Sequence, residues 1–310
     1  MNEIAATAKG VRHKQQSTRF WALFAAPGTA WLLALFVVPF YAVLALAFGH
    51  PDPIFGSAIP EWNPLKWDAT ALRDALSRIF GGDLGTVVIR TFTYVGITLV
   101  ICILVGYPVA YYVARSTRKS RGIILTALVL PFWISYLMRM LAWVNLLAPD
   151  GMVNRFLDWI GIFGGPKNFL NGNSVTVIIG LAYGYIPFFI LPLYASLERM
   201  DVRLIEAARD LGASRAGAFW RITWPLSRQG LMAASVITVL PMFGDYYTNG
   251  YLSGSPNTSM IGNQIEYYLH GSTSPQTGAA LVIVLSVLLV ILMAYYLVST
   301  ARAASSVALR

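Results

Sequence analysis

The sequence has few charged residues, and this shortage limits the class of protein that it can encode. Asp, Glu, Lys and Arg make up 12% of the 310 residues, and 56% of the residues are hydrophobic. Ordinary soluble domains contain about 25% charged residues. Several apolar runs are also long enough to cross a hydrocarbon core about 30 Å thick. The composition therefore indicates an integral membrane protein, and the length gives no argument for two soluble domains.

Residues that build disulfides, metal sites and nucleotide sites are also scarce. Cys102 is the single cysteine, which excludes a disulfide or a cysteine-based metal site within the chain. The three histidines, His13, His50 and His270, lie far apart and lack the spacing of metal ligands. The sequence also lacks a G-x-x-x-x-G-K-[ST] phosphate loop, so ATP hydrolysis by that route is not expected. We predict no catalytic, metal-binding or cofactor-binding residue in this chain.

The net charge of +9 is spread along the sequence and is not gathered in one patch. Lys and Arg flank the apolar runs, and residues 115–121 carry four positive charges and no negative one. The positive-inside rule explains this distribution without a nucleic-acid partner. It predicts that both termini lie in the cytoplasm.

Six apolar segments predict an all-α polytopic membrane protein with six transmembrane helices. The predicted spans cover about 20–48, 86–114, 122–147, 174–196, 225–247 and 278–298, within a membrane domain of residues 20–300. Residues 1–19 and 301–310 are predicted to be cytoplasmic tails, and residues 197–224 a charged cytoplasmic loop. Short helices are expected in two outer loops, at 69–80 and at 153–160.

The charged loop predicts a helix, a sharp turn and a second helix at the membrane surface. Asp201 can cap the first helix, Gly212 suits a left-handed end, and Ser214 can cap the second helix. Pro225 then suits the first turn of the next span. From periodicity alone, an ordinary amphipathic loop that lies on lipid explains the pattern equally well.

The spacing of residues in this loop favours a more specific interpretation. The positions concerned are Glu206, Ala207, Ala208, Asp210, Gly212, Ile222 and Pro225. All of them except Asp210, which belongs to the charged rim of the helix, resemble in order and spacing the cytoplasmic EAA signature of membrane subunits of binding-protein-dependent ABC importers, with Trp224 where that signature usually has Leu. The resemblance implies that these residues form a coupling helix between spans 4 and 5. Such a helix docks into a separate ATPase subunit.

Motifs elsewhere are similar to those of the spermidine/putrescine permease subfamily. They lie at 106–110, 130–139, 187–194 and 205–214, and the similarity extends over 20–298. It implies a permease subunit of type I importer fold that moves polyamines across the bacterial inner membrane by alternating access. It also implies several partners: a second permease subunit, a dimer of ATPase subunits that binds ATP and Mg²⁺, and an extracytoplasmic substrate-binding protein. Relatives for other small solutes, such as amino-acid derivatives and opines, share much of this pattern and stay open as alternatives.

A carboxylate beside aromatic residues predicts where a cationic cargo passes. Asp245 lies near the outer end of the fifth span, next to Tyr246 and Tyr247. A di- or tri-cation is stabilised by charge pairing and by cation–π attraction. The alternative is an interfacial Asp in an aromatic belt. Glu266, beside two further tyrosines, is assigned to the outer loop.

A second ionisable group, Arg139, lies well inside the third predicted span. A charge at that depth costs at least about 2.5 kcal/mol, so we expect either a partner or a water-filled cavity. The alternative is that the side chain reaches toward the outer face. Trp133 and Tyr136 are predicted as aromatic contacts along the same path.

Proline and glycine residues within the spans predict kinks and close helix contacts. Pro131 interrupts the third span, and Gly180 and Gly184 form a G-x-x-x-G pattern in the fourth. A secondary transporter would be expected to show midplane carboxylates and an internal repeat. A membrane enzyme would be expected to show paired acid–base or metal-ligand groups. Neither signature is apparent in the sequence.

Overall fold

The computed structural model describes residues 2–52, 58–161, 167–271 and 274–308, and over these ranges the chain is almost wholly helical. Met1 and residues 309–310 of the predicted tails lie outside the described residues. Strands β1 (His50–Pro51) and β2 (Ala58–Ile59) form one short antiparallel pair. The α-helices of the described ranges are α1 (Asn2–Ala47), α2 (Thr70–Gly81), α3 (Asp83–Arg115), α4 (Arg118–Val129), α5 (Tyr136–Leu147), α6 (Met152–Ile160), α7 (Ser174–Glu198), α8 (Arg203–Asp210), α9 (Arg215–Ala218), α10 (Trp224–Phe243), α11 (Tyr247–Leu252), α12 (Ile261–Glu266) and α13 (Pro275–Ala308).

Five helical segments of the described chain are long and apolar enough to cross a membrane. They lie in α1, α3, α7, α10 with the turns before it, and α13. The count becomes six if the bent pair formed by α4 and α5, with the segments that continue them, is one broken span. This architecture agrees with the predicted all-α polytopic fold.

The third predicted span, 122–147, differs from the prediction because it is not one helix. A 3₁₀ turn at Leu130–Trp133 follows α4, and the segment that ends with this turn (Lys119–Trp133) meets the next one (Tyr136–Ile160) at 88°. Pro131 lacks the N–H that an α-helix needs in its interior. Ser135 then starts α5, since its Oγ accepts a hydrogen bond from the Met138 N–H at 3.3 Å. The structure therefore corrects a continuous span to two helices joined by a bend.

The helix of the fifth span begins earlier than predicted. It is continuous from Arg215 to Phe243 and passes through a π-helical turn at Phe219–Thr223. Pro225 has no N–H to donate to the carbonyl of Arg221, four residues before it, so the regular ladder is interrupted in the same region. The second short helix of the charged loop and the fifth span therefore form one rod.

The main core lies between α3, α7 and α10. Phe189, Leu193 and Met242 are fully buried there. A Cβ at Gly106 would lie 2.7 Å from the Phe189 ring, so glycine lets α3 approach α7 closely. By contrast, only 11% of the apolar window is buried in each of α1 and α13, so the rest of the described chain leaves most of their apolar surface uncovered.

The two short helices predicted in the outer loops are confirmed. α2 (predicted at 69–80) packs Ala75 into a second core cluster with Leu84 and Leu281, which ties it to α3 and α13. α6 (predicted at 153–160) ends at Gly161, which has a φ of +74°. α2 therefore lies in the connection between α1 and α3, and α6 is the last part of the segment Tyr136–Ile160 that follows the bend.

Candidate functional site

The charged loop forms the predicted helix, sharp turn and helix, which we call the α8 corner (α8, the turn at Gly212, and α9). Gly212 has a φ of +87°, a left-handed conformation that favours glycine. The Ala213 N–H donates to the Ala208 carbonyl at 3.0 Å, and the Gly212 N–H donates to the Arg209 carbonyl at 2.9 Å. These two bonds form a Schellman ending. Ser214 then caps α9 by accepting a backbone N–H at 3.0 Å.

Nearly all side chains of the α8 corner are at least partly exposed to solvent. None of the eight residues of α8, all of them described, is buried. An apolar stripe follows helical spacing through Leu204, Ala207, Ala208 and Leu211, and Leu211 is 89% exposed. Glu206, Asp210 and Gly212 are exposed beside this stripe. A short apolar stripe rimmed by charge is the kind of surface that fits a groove in another protein.

The last two residues of the predicted set lie in the rod that follows. Ile222 is half-buried in the π-helical turn, and Pro225 is exposed in the first turn of α10. α8 makes its main contacts with α9 and with this π-helical turn. The predicted coupling residues therefore belong to one continuous surface and the base of one helix.

Two arginines attach the chain just before α8 to the loop between α3 and α4. Arg121 forms an ion pair with Glu198, the last residue of α7, and also donates to the carbonyls of Ala114 and Ser116 at 3.2 and 3.3 Å. Arg115 Nη2 lies 3.6 Å from the sulfur of Met200, on the segment that leads into α8. These contacts connect the base of the α8 corner to the loop between α3 and α4.

At the other end of α10, Asp245 forms a buried hydrogen-bond centre. The residue is only 6% exposed. Its Oδ2 accepts hydrogen bonds from the hydroxyls of Tyr136 and Tyr185, both at 2.9 Å, and from the Thr248 hydroxyl at 2.8 Å. Its Oδ1 accepts the Thr248 N–H at 2.8 Å. The carboxylate is therefore stabilised by four charge-assisted hydrogen bonds from three residues.

The G-x-x-x-G pattern of α7 provides the space for this centre. A Cβ at Gly184 would lie 2.8 Å from the Tyr136 hydroxyl, and a Cβ at Gly180 would lie 2.3 Å from a methyl carbon of Leu252. Glycine at 184 therefore lets Tyr136 cross α7 and reach Asp245. Glycine at 180 lets α11 pack directly on α7.

Arg139 is buried one helical turn beyond Tyr136. It is 8% exposed, and its guanidinium carbon lies 4.2 Å from the centroid of Phe132, 5.1 Å from that of Tyr136 and 5.9 Å from that of Tyr183. Within the described residues, its Nε and Nη1 atoms have no hydrogen-bond partner. Aromatic faces, which attract a cation through the ring quadrupole, are therefore its main stabilising contacts.

These groups line one cavity of about 370 Å³ between α5, α7 and α10. Its lining includes Tyr136, Arg139, Gly184, Tyr185, Phe188, Asp245, Tyr246 and Tyr247. Five of the six residues predicted for the substrate path thus come together. Trp133 does not join them, because it is 83% exposed and borders a different cavity with Leu125 and Val129.

A second cavity, of about 480 Å³, adjoins the first through Tyr246 and Tyr247. We call it the tyrosine vestibule. Its lining consists of Tyr246, Tyr247, Gly250, Tyr251, Asn263, Glu266 and His270. The Tyr246 and Tyr247 rings stack with centroids 4.2 Å apart, and the Tyr247 and Tyr251 rings lie 6.3 Å apart at 7°. The vestibule thus has an aromatic wall and a carboxylate.

Sequence reasoning did not identify Tyr185 and Thr248 as partners of Asp245. Thr248 had a local signal, because an Asp three residues before a Thr at a helix start is a common capping arrangement. Tyr185 had none, since its bond to Asp245 joins residues 60 positions apart. Only the packing of α7 against α10 brings these two together.

Comparison with known proteins identifies a family over most of this architecture. Residues 102–303 match the family described as binding-protein-dependent transport system inner membrane component. The spermidine/putrescine transport system permease protein PotB of Haemophilus influenzae is 34% identical over 267 residues, which cover 86% of this chain and 89% of that protein. The Escherichia coli protein of the same name is 36% identical over 195 residues, covering 63% and 70%.

Solved structures give the same overall arrangement of helices. One chain comes from a bacterial ABC transporter involved in the import of the acidic polysaccharide alginate. It superposes with a TM-score of 0.68 at 20% identity and covers 94% of this chain and 99% of its own length. A second match, with the same TM-score and identity, comes from the alginate transporter in complex with an alginate pentasaccharide-bound periplasmic protein. At this identity the likeness shows the fold alone.

Proposed function

The chain belongs to the family of binding-protein-dependent transport system inner membrane components, and from this premise we propose that it is the permease subunit of an ATP-driven polyamine importer. It is a multi-pass inner-membrane protein, and its relatives are named as permeases, so it is a transport subunit and not an enzyme. The proposed cargo is spermidine or putrescine. The proposed mechanism is alternating access, with both termini in the cytoplasm.

The single observation that carries the coupling role is the exposed apolar stripe of α8. Leu211 is nearly fully exposed although it ends a stripe of helical spacing, and an isolated stripe of this kind gains stability when another surface covers it. Glu206 and Asp210 flank the stripe and would fix its register against charged groups of the partner. We assign the partner as an ATPase subunit, which binds ATP and Mg²⁺ and moves the α8 corner as it closes.

The cargo assignment is supported by the relatives and by the chemistry of the two adjoining cavities. Both PotB proteins are named for spermidine and putrescine transport. The tyrosine faces of both cavities and the Glu266 carboxylate of the second provide the cation–π and charge contacts that an extended di- or tri-cation needs. The buried Asp245 and Arg139 carry opposite charges, so the inner cavity adds no net charge that would trap a cation.

The proposed assembly contains further chains. A similar second permease would complete the path, two ATPase subunits would bind the two inner faces, and an extracytoplasmic binding protein would deliver the cargo. The alginate transporter in complex with its periplasmic protein is an example of the binding-protein contact on the same fold. The cargo-facing end would be the one that carries Asp245, opposite to the α8 corner.

Labelled uptake in a strain that lacks the transporter tests the proposal. Cells that express the whole system should accumulate spermidine or putrescine in an ATP-dependent manner, and 4-aminobutyrate should compete poorly. The chain should also co-purify with an ATPase subunit. ATP-independent uptake without an associated ATPase would contradict the importer assignment. Preferred uptake of 4-aminobutyrate would contradict the polyamine assignment alone.

A further inference from the structure

The two carboxylates near the tyrosines have opposite surroundings. Asp245 is buried, and its Oδ2 already accepts hydrogen bonds from three hydroxyls. Glu266 is exposed at the end of α12, and within the described residues its carboxylate has no hydrogen-bond or ion-pair partner. An ammonium group that enters from solvent therefore finds Glu266 available and Asp245 occupied.

The aromatic wall of the vestibule is partly open to solvent beside Glu266. Tyr247 and Tyr251 are 39% and 40% exposed, and their nearly parallel rings are half-accessible. A cation over such a ring is attracted to its face, and a carboxylate next to the ring adds a charge-assisted hydrogen bond. Together these groups form the usual chemistry of an alkylammonium site.

The basic groups on and beside the vestibule lining leave this carboxylate available. Arg78, which contacts the Tyr268 hydroxyl at 2.6 Å, is already paired with Asp83 at 2.6 Å. His270 is the other ionisable side chain on the vestibule wall besides Glu266 and the tyrosines. A cationic ligand therefore meets a vestibule with a negative charge that no arginine or lysine of its lining cancels.

We propose that the tyrosine vestibule is the entry site for the cargo, where Glu266 binds an ammonium group and Tyr247 and Tyr251 cover the adjacent methylene chain. Asp245 then has a different role, because it holds Tyr136, Tyr185 and Thr248 in place, and these residues shape the deeper cavity. This inference rests on the proposed function, because it takes the cargo to be an alkylammonium cation arriving at this end of the chain.

The test uses proteoliposomes that contain the complete transporter, supplied with spermidine-loaded binding protein at increasing concentration. The variants are Glu266→Gln, which removes the charge at nearly constant shape, and Glu266→Asp, which keeps it. The matched control is Asp158→Asn, which removes an exposed carboxylate of α6 that is not among the described residues lining either cavity. We expect Glu266→Gln to lower the maximal rate of spermidine uptake about fivefold to tenfold.

Four results distinguish the possibilities. The proposal predicts a lower maximal rate in Glu266→Gln, an unchanged half-saturating concentration of binding protein, substantial recovery in Glu266→Asp, and no change in Asp158→Asn. A raised half-saturating concentration with a normal maximal rate would overturn it, because Glu266 would then contact the binding protein. Unchanged kinetics in Glu266→Gln would also overturn it. Absence of spermidine uptake by the unmodified transporter would instead refute the proposed function.

Discussion

The α8 corner and the Asp245 cavity lie at opposite ends of the same helix, and they are built in opposite ways. At the α8 corner, the backbone is fixed by caps and a glycine turn, whereas the side chains extend into solvent. In the cavity, α5, α7 and the start of α11 each hold a side chain against Asp245. In the first region the backbone conformation is fixed and the side chains remain exposed. In the second region the Asp245 carboxylate already has its hydrogen-bond partners.

This difference separates two kinds of mutational effect. A change of an exposed side chain on α8 alters little inside the chain, so its consequences arise through a partner. A change in the cavity breaks hydrogen bonds to a buried carboxylate, so its consequences begin with the stability of the chain itself. Mutations of exposed side chains in the α8 corner should therefore change uptake with little change in stability, whereas mutations in the cavity should change both.

The largest effect on uptake is expected for Glu206→Lys. Reversing the exposed charge of Glu206, which flanks the apolar stripe of α8, should reduce uptake about tenfold or more, while the free energy of unfolding changes by less than about 0.5 kcal/mol. Spermidine uptake, thermal stability and ATPase co-purification would be measured together, with Asp158→Lys on exposed α6 as the control. Normal uptake by Glu206→Lys would remove the coupling role of α8.

Asp245→Asn should affect both properties. An amide cannot accept all the hydrogen bonds that the carboxylate accepts, so the buried network should lose about 1–3 kcal/mol of stability. Uptake should fall by about tenfold at most. A thermal unfolding series with Asp158→Asn as the control measures the first effect. If Asp245→Asn changed neither stability nor uptake, Asp245 would instead be assigned as an interfacial residue of an aromatic belt.

Gly212→Val tests the turn through backbone strain alone. A Cβ there would meet no atom of the described residues within 4 Å, but a β-branched residue at a φ of +87° is strained by about 1–2 kcal/mol. Gly161→Val is a matched control, since Gly161 ends α6 at a φ of +74° with the same open surroundings. Both variants should lose similar stability, and only Gly212→Val should lower uptake, by about fivefold. Equal uptake by the two would contradict a special role of the α8 turn.

The smallest effect is expected for Gly184→Ala. The new methyl group would press on Tyr136, whose hydroxyl lies 2.8 Å from the Cβ position, and would weaken one bond to Asp245. Uptake should fall about twofold to threefold, as expected for about 0.5 kcal/mol. Gly96→Ala in α3 is the control, because a Cβ there would meet no atom of the described residues within 4 Å. A larger loss of uptake in Gly96→Ala than in Gly184→Ala would exclude contact with Tyr136 as the cause.

Local rules were sufficient to predict the α8 corner from sequence. Gly212 and Ser214 act through bonds to residues within five positions, so the turn and the second cap follow from residue type and order. The bend after Pro131 was partly predictable, since proline interrupts a helix, but the 88° angle depends on how the flanking segments pack. Likewise, Pro225 suits the first turn of α10, but it does not predict that the helix of the fifth span begins as early as Arg215.

The cavity could be predicted only in part because its bonds join distant segments. Asp245 and Tyr246 are neighbours in sequence, but Tyr136 and Tyr185 reach Asp245 across 109 and 60 positions. Trp133 and Tyr136 looked equivalent as neighbours along one helix. The bend turns them apart, so Trp133 faces outward and Tyr136 reaches the cavity.

The continuous rod from Arg215 to Phe243 has a simple mechanical consequence. Its 29 residues extend about 44 Å at the rise of an α-helix, and one end lies in the α8 corner while the other, Phe243, lies two residues before Asp245. For a lever of that length, a tilt of about 1° about one end displaces the other by about 0.8 Å. Hydrogen bonds to Asp245 tolerate only about 0.5 Å of stretch. A pivoting motion too small to unpack the core would therefore be enough to release the tyrosines from their carboxylate.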